Sequence, residues 1–260
     1  MLLAIDIGNT RMDIGVFEGQ ELQAVWHLAT DVHKMVDEYA VVLLGLLSQQ
    51  GLNPSDIKHA VICSVTPPLV PTFRELCRRY FEVSPLVVEA GVRTGVSILM
   101  DNPREVGPDR IVNAVAGHHL YGGPLIVVDL GTATTFDVIS EKGDYLGGAI
   151  APGVKIASEA LFQRTAKLPR VDLVRPKHVI GRDTISAMQS GFIFGYVGLI
   201  EGLVGRIQQE LGGKKARVIA TGGYAELLAR ETKVIEIVDP HLTLVGLRII
   251  HELNLGEKHV

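Results

Sequence analysis

Apolar residues along this chain fall into short runs that stop abruptly at polar, glycine-containing turns. Leu2-Leu3-Ala4-Ile5 ends at Asp6-Ile7-Gly8-Asn9-Thr10, and Met12 to Phe17 alternates as a second strand turning at Gly19, so the N-terminus predicts a β-hairpin with a polar tip. Leu125-Ile126-Val127-Val128 ends the same way at Asp129-Leu130-Gly131-Thr132-Ala133-Thr134-Thr135. Phe136 to Ser140 follows as a strand, and Lys142-Gly143 turns. The second aspartate lies 123 residues after the first, close to half of the 260-residue chain. The simplest reading is two domains of similar fold from an internal duplication, residues 1–118 and 119–260.

Each hairpin gains a third strand, Leu22 to Leu28 and Tyr145 to Ile150, and helical and strand patterns then alternate, so the class is α/β. The first half predicts a helix from Asp31 to Gln50 and a buried strand from Ala60 to Val65, which Pro67 and Pro68 end because proline donates no ladder hydrogen bond. The second half predicts a long helix from Asp183 to Leu211, with Asp183 or Thr184 as N-cap. A strand from Arg217 to Ala220, a turn at Thr221-Gly222-Gly223, a short helix, a strand from Lys233 to Val238 and a closing helix near Pro240 complete it. The long helix carries Gly191, Gly195, Gly198, Gly202 and Gly205 on one stripe. Each glycine costs about 1 kcal/mol relative to alanine in a helix interior, so the row predicts close packing, by a helix of the same domain or by one from a second subunit.

Composition narrows the function classes. With 25 basic and 29 acidic side chains the net charge is −4, and no Lys/Arg block provides the clustered field that nucleic acid needs. The apolar stretch from Tyr39 to Leu47 is far short of the ~18 residues that span a bilayer, so no membrane insertion is expected. Two cysteines, Cys63 and Cys77, are too few for a disulfide framework or a zinc site, and a cytoplasmic setting is expected. Partners are then small molecules. Glycine is enriched, at 28 of 260 residues.

The repeated unit places a carboxylate at the end of a buried strand, followed by glycine and threonine in a tight hairpin. Glycine lets backbone approach a ligand, the N–H groups and threonine hydroxyls donate to phosphate oxygens, and the aspartate can hold Mg²⁺. Two such loops could grip one nucleotide. Neither a P-loop nor a Rossmann glycine fingerprint occurs. Thr221-Gly222-Gly223-Tyr224-Ala225, between a strand and a helix, could lie against a flat ring such as adenine. The densest polar segment, Asp101-Asn102-Pro103-Arg104-Glu105-Val106-Gly107-Pro108-Asp109-Arg110, leads into the apolar helix Ile111 to His119. A carboxylate beside a cation suits a general base and a guanidinium suits an acidic substrate, roles that Asp109 and Arg110 fit. The nine histidines form no ligand-spaced cluster.

These segments, with Gly147-Gly148-Ala149-Ile150-Ala151-Pro152-Gly153, resemble the type III pantothenate kinases over the whole chain. That family belongs to the acetate and sugar kinase, heat-shock protein 70 and actin superfamily. The resemblance implies two ribonuclease H-like (actin-like) domains with mixed sheets flanked by helices. It also implies transfer of the γ-phosphoryl of ATP to the hydroxyl of pantothenate, giving 4′-phosphopantothenate in the first step of coenzyme A synthesis, and a homodimer. Carried across, Asp6, Ile7, Gly8, Asn9, Thr10, Arg11, Met12, Asp13 and Thr132 bind ATP, and Asp6 holds Mg²⁺. Asp129 holds the monovalent cation, K⁺ or NH₄⁺. Met100, Gly107, Pro108, Asp109, Arg110 and Thr184 bind pantothenate, with Asp109 accepting the hydroxyl proton. Two positions depart from the family pattern: Met100 stands where tyrosine is common, and Arg11 where asparagine is common. Two other readings share these loops: a superfamily kinase for a sugar or small acid, and a regulatory factor without turnover.

Overall fold

The computed structural model describes residues 1–213 and 215–255. The chain divides into two compact units, each discontinuous in sequence: residues 1–96, 102–116 and 242 onward form one, and residues 97–101 and 117–241 the other. The sequence pattern predicts a single cut after residue 118; in the structure the last helix returns to the first unit.

In the first unit β1 (Leu2–Ile7), β2 (Arg11–Glu18), β3 (Glu21–Ala29), β4 (His59–Ser64) and β5 (Leu86–Val87) lie in the order β3-β2-β1-β4-β5. β1 is antiparallel to β2 and parallel to β4. Side chains alternate between the two faces of a strand. Leu3, Ile5 and Ile7 therefore enter one core, with Tyr39, Leu43 and Leu47 of α1 (Val36–Gln49) and Phe73 and Leu76 of α2 (Val70–Phe81). Leu2 and Ala4 enter a second core with Val61, Cys63, and residues of α3 (Pro108–Tyr121) and α7 (Leu242–Asn254). Both faces are covered, which is why β1 and β4 read as nearly unbroken apolar runs.

Two local details differ from the sequence pattern. α1 begins at Val36 rather than near Asp31, because the Asp31 carboxylate accepts the His33 N–H at 2.9 Å and turns the chain first. The sequence pattern does not mark α2, yet Phe73, Leu76, Cys77 and Phe81 form a regular buried stripe flanked by the exposed Arg74 and Arg78. The return of α7 depends on Gly246, where an added Cβ would strike the Val112 carbonyl oxygen of α3. Thr243 adds a hydroxyl bond to Asn113 at 2.8 Å.

A buried histidine makes this unit acid-sensitive. The His251 ring of α7 lies 4.9 Å from the His59 ring, centroid to centroid, and burial, with the His59 charge second, lowers its pKa from 6.5 to about 4. Glu252 opposes that shift. Between those two values the unfolded chain binds more protons at this site than the folded one, so stability is lost as pH falls from about 6.5 toward 4. The expected loss is at most about 3 kcal/mol. Thermal midpoints recorded from pH 7 to pH 4 should fall less steeply for His251→Phe than for the parent chain.

The second unit repeats the arrangement. β6 (Leu125–Leu130), β7 (Ala133–Ile139), β8 (Tyr145–Pro152), β9 (Arg217–Thr221) and β10 (Ile237–Val238) lie in the order β10-β9-β6-β7-β8. Read from the other edge this is an antiparallel three-strand meander followed by two parallel strands, as in the first unit. Two mixed sheets flanked by helices, with one strand order, form the duplicated ribonuclease H-like fold. The expected strand from Lys233 pairs only over Ile237–Val238. α4 (Val154–Arg164), also not anticipated, α5 (Thr184–Glu210) and α6 (Ala225–Ala229) complete the unit.

α5 begins at the expected cap, with the Asp183 carboxylate accepting the Ser186 N–H at 2.9 Å. Its buried stripe, Ile193, Val197, Ile200 and Val204, packs on Ile126, Val128 and Phe136. The glycines sit two residues out of step with that stripe, hence on the opposite side of the helix. In the described chain nothing lies within 4 Å of a Cβ built at Gly191, Gly195, Gly198 or Gly205, and at Gly202 only the Arg206 guanidinium does. A partner helix in the same domain is therefore not what the glycines accommodate. By length and composition α5 also suffices to cross a bilayer, although Ser190, Glu201 and Arg206 keep each unbroken apolar run within it short.

Candidate active site

In the first unit the strand register assembles a polar row from residues far apart in sequence. Asp6 pairs with Asp13 of β2 on one side and with Cys63 of β4 on the other, and Asp13 pairs with His27 of β3. Directly paired residues project to the same face, so His27, Asp13, Asp6 and Cys63 cross the sheet on the face that α3 and α7 cover. Asp13 is held at both oxygens, by Arg11 Nη2 at 2.7 Å and by His27 Nδ1 at 2.7 Å.

The loop between β1 and β2 is a closed turn. Gly8 N–H donates to the Arg11 carbonyl at 3.0 Å, and a Cβ on Gly8 would stand 2.7 Å from that oxygen. The Gly8 carbonyl in turn accepts the hydroxyls of Thr30 at 2.7 Å and Thr66 at 3.2 Å. Sequence reasoning missed both threonines. Thr30 directly follows β3 and Thr66 comes two residues after β4 of the same sheet, which is a signal only once the strand order is known.

Asp109 stands in the first turn of α3, after Pro108 at the first helical position. Burial raises its carboxyl pKa, against the lowering effect of the Arg110 backbone N–H and guanidinium. Gly107 leaves room for it, since a Cβ there would lie 2.5 Å from Asp109 Oδ1. Cys63 reports the neighbourhood. Its thiol is pushed well up by burial, then by the charges of Asp6 and Asp109, and it hydrogen-bonds Asp6. Asp6 and Asp109, 103 positions apart in the chain, thus both act on one buried thiol that the sequence shows only as part of an apolar run. The rest of the Asp101–Arg110 segment is more exposed: Asp101, Arg104 and Glu105 face solvent, and Asn102 donates to Glu105 at 2.6 Å.

Among the described residues no group of three or more His, Cys, Asp or Glu could hold a metal by itself. Asp6 is half-buried near the end of β1, where the chain enters the Gly8 turn that carries Thr10. That donor set fits Mg²⁺, which takes one or two carboxylates and completes its shell with phosphate oxygens and water.

In the second unit Asp129 is the penultimate residue of β6 and pairs with Thr135 and Thr221. Gly222 has φ +91°, and a Cβ there would lie 2.5 Å from Asp129 Oδ1, so the Thr221-Gly222-Gly223 turn seats directly against that carboxylate. Gly131 N–H closes its own loop on the Ala133 carbonyl at 3.0 Å, and Gly153 N–H donates to the Thr132 carbonyl at 3.1 Å. Met100 and Thr184 also belong to this unit; Met100 reaches toward Gly147, and Thr184, exposed, is the first residue of α5.

A side chain at Gly153 would collide with the carbonyl oxygens of both Gly131 and Thr132. Gly153→Ala is expected to displace the second loop, costing about 1–3 kcal/mol of stability, and to weaken ATP binding. Calorimetric titration of ATP beside a thermal melt checks both.

Residues 2–206 match the family model for type III pantothenate kinase. A type III pantothenate kinase from Dehalococcoides mccartyi strain 195 is 56% identical over 253 residues, covering 97% of this chain and 98% of that one. Another from strain CBDB1 is 54% identical over the same length, covering 97% and 96%. Among solved structures, a conserved Campylobacter jejuni protein described as a Baf family transcriptional activator superposes with TM-score 0.61 at 21% identity, covering 98% of this chain and 100% of that one. Component A of (R)-2-hydroxyglutaryl-CoA dehydratase from Acidaminococcus fermentans gives TM-score 0.54 at 14% identity, covering 95% and 94%; at these identities both share the fold alone. With the family's sequence model matched from the first strand into the long helix, and relatives above half identity along nearly their whole length, this chain belongs to the type III pantothenate kinase family.

Proposed function

We infer that this chain catalyses its family's reaction, ATP-dependent phosphorylation of the pantothenate hydroxyl to 4′-phosphopantothenate, the first step of coenzyme A synthesis, with Asp109 as proton acceptor. The observation that supports the residue assignment is that the charges of Asp6 and Asp109 both act on the buried Cys63 thiol. Burial raises the Asp109 pKa, which makes its carboxylate a better proton acceptor than an exposed aspartate, and in this reading it works with Asp6, the carboxylate that opens the first phosphate loop.

Phosphoryl transfer asks a protein mainly for position and charge neutralisation. The loop Asp6–Asp13 offers the Thr10 hydroxyl and backbone N–H groups to phosphate oxygens, its shape locked by Thr30 and Thr66. Thr132 does the same in the second unit. Asp6 holds Mg²⁺, which when bound offsets phosphate charge. Asp129 holds K⁺ or NH₄⁺ beside the Gly222 turn. Arg110 and Gly107-Pro108 bind pantothenate with Met100 and Thr184, and Asp109 accepts the hydroxyl proton as the oxygen attacks. The protein acts as a homodimer in the cytoplasm, without nucleic-acid or membrane partners. The outward glycine face of α5 and the exposed Ile150, Val179 and Ile180 of the same unit support that assembly.

The test is phosphorylation of pantothenate by purified protein with ATP and Mg²⁺, run in K⁺, NH₄⁺ and Na⁺ buffers beside a panel of sugars and acetate. Turnover of pantothenate alone, requiring K⁺ or NH₄⁺, is expected. Turnover of a different substrate would retain the phosphate loops and discard the pantothenate assignment of Gly107–Arg110.

A further inference from the structure

His27 belongs to none of the motifs above, yet it stands at the outer end of the row that leads to Asp6. Its Nδ1 lies 2.7 Å from Asp13 Oδ1, while Arg11 Nη2 takes the other oxygen at 2.7 Å. The Asp13 side chain is only 18% exposed, against 41% for Arg11 and 52% for His27, so the carboxylate is the buried centre of the three. Asp13 is also directly opposite Asp6 in the β1–β2 register. Like charges across a strand pair repel, and a donor on each oxygen of Asp13 offsets that repulsion. Arg11 is the residue on which the phosphate loop closes, through the Gly8 N–H. A long guanidinium side chain has a large rotamer freedom to lose. Clamped by Asp13, Arg11 is already ordered before a ligand arrives.

We propose that His27 is a positioning residue for the phosphate end of ATP: it fixes Asp13, and Asp13 holds the Arg11 guanidinium beside the Gly8–Thr10 loop. This rests on the reading of Asp6–Asp13 as a phosphate loop. A surface ion pair without function would contribute little and touch no ligand; this triad differs in pairing its central carboxylate with Asp6 and in sharing its arginine with the loop.

The test is calorimetric titration of the full chain with ATP and, separately, with adenosine, which lacks the phosphates. His27→Ala should weaken ATP binding about three- to tenfold, leave adenosine unchanged, and raise the KM for ATP without raising that for pantothenate. His27→Asn, whose amide N–H can replace Nδ1–H, should recover most of the loss. Arg11→Ala should weaken ATP to a similar degree, and adding His27→Ala to it should cost nothing further, because the two act through one contact. Equal effects of His27→Ala on ATP and adenosine, or full additivity with Arg11→Ala, would overturn the proposal and leave the loop assignment standing. If the parent chain itself binds adenosine as tightly as ATP, the phosphate-loop reading fails and this inference with it.

Discussion

Asp109→Asn is expected to lower kcat by about 10²–10⁴-fold, the usual worth of general-base catalysis, while ATP binds as before. The substitution keeps the shape and one oxygen of the side chain and removes only its capacity to take a proton. Its pH behaviour separates this role from a purely steric one. Burial raises the Asp109 pKa, so in the parent chain kcat/KM should fall on the acid side at a pH above the ordinary aspartate range, and the asparagine variant should lose that limb. Stability should move the other way. A carboxyl whose folded-state pKa is raised binds more protons folded than unfolded, so it lowers stability as pH rises through that window. Above it the charged, desolvated carboxylate is a net cost, and Asp109→Asn should melt no lower than the parent at neutral pH. A variant with near-normal turnover would remove Asp109 from the proton-accepting role.

Asp6→Asn is expected to cost about 10²–10³-fold in kcat/KM, the scale seen when one preorganised electrostatic group is removed from a transition state. The signature to look for is in the metal titration. With the carboxylate gone, half-maximal activity should need a much higher Mg²⁺ concentration, whereas Asp109→Asn should leave the Mg²⁺ requirement unchanged. Cys63 remains a hydrogen-bond neighbour of residue 6 in this variant, so the fold should survive. An unaltered Mg²⁺ requirement would place the metal elsewhere. Together the two variants assign charge neutralisation and proton transfer to different carboxylates, one on β1 and one on α3.

Much of this molecule is written locally. The two hairpins, their Asp-x-Gly turns, the Asp183 cap and the long helix follow from strand alternation, glycine turns and capping, each decided within a few residues by backbone sterics and nearby hydrogen bonds. The half-chain repeat was legible for the same reason, because two copies of one local pattern imply two copies of one sheet. Motifs likewise pointed to Asp6, Asp109 and Asp129 as chemically unusual carboxylates. What they did not contain is adjacency. The row from His27 through Asp13 and Asp6 to Cys63 exists only because β3, β2, β1 and β4 align in one register. Thr30 and Thr66 reach one carbonyl from strands that are neighbours of β2 and β1 in space. α7 returns to the first unit because its apolar stripe and Gly246 fit against α3, a choice made by packing between segments more than a hundred residues apart. The glycines of α5 were visible as a stripe, but which way the stripe faced was set by the competing stripe of Ile193, Val197, Ile200 and Val204, which buries more apolar surface against the second sheet. Local sequence decided the elements and named the carboxylates; only long-range register and packing decided which of them act together.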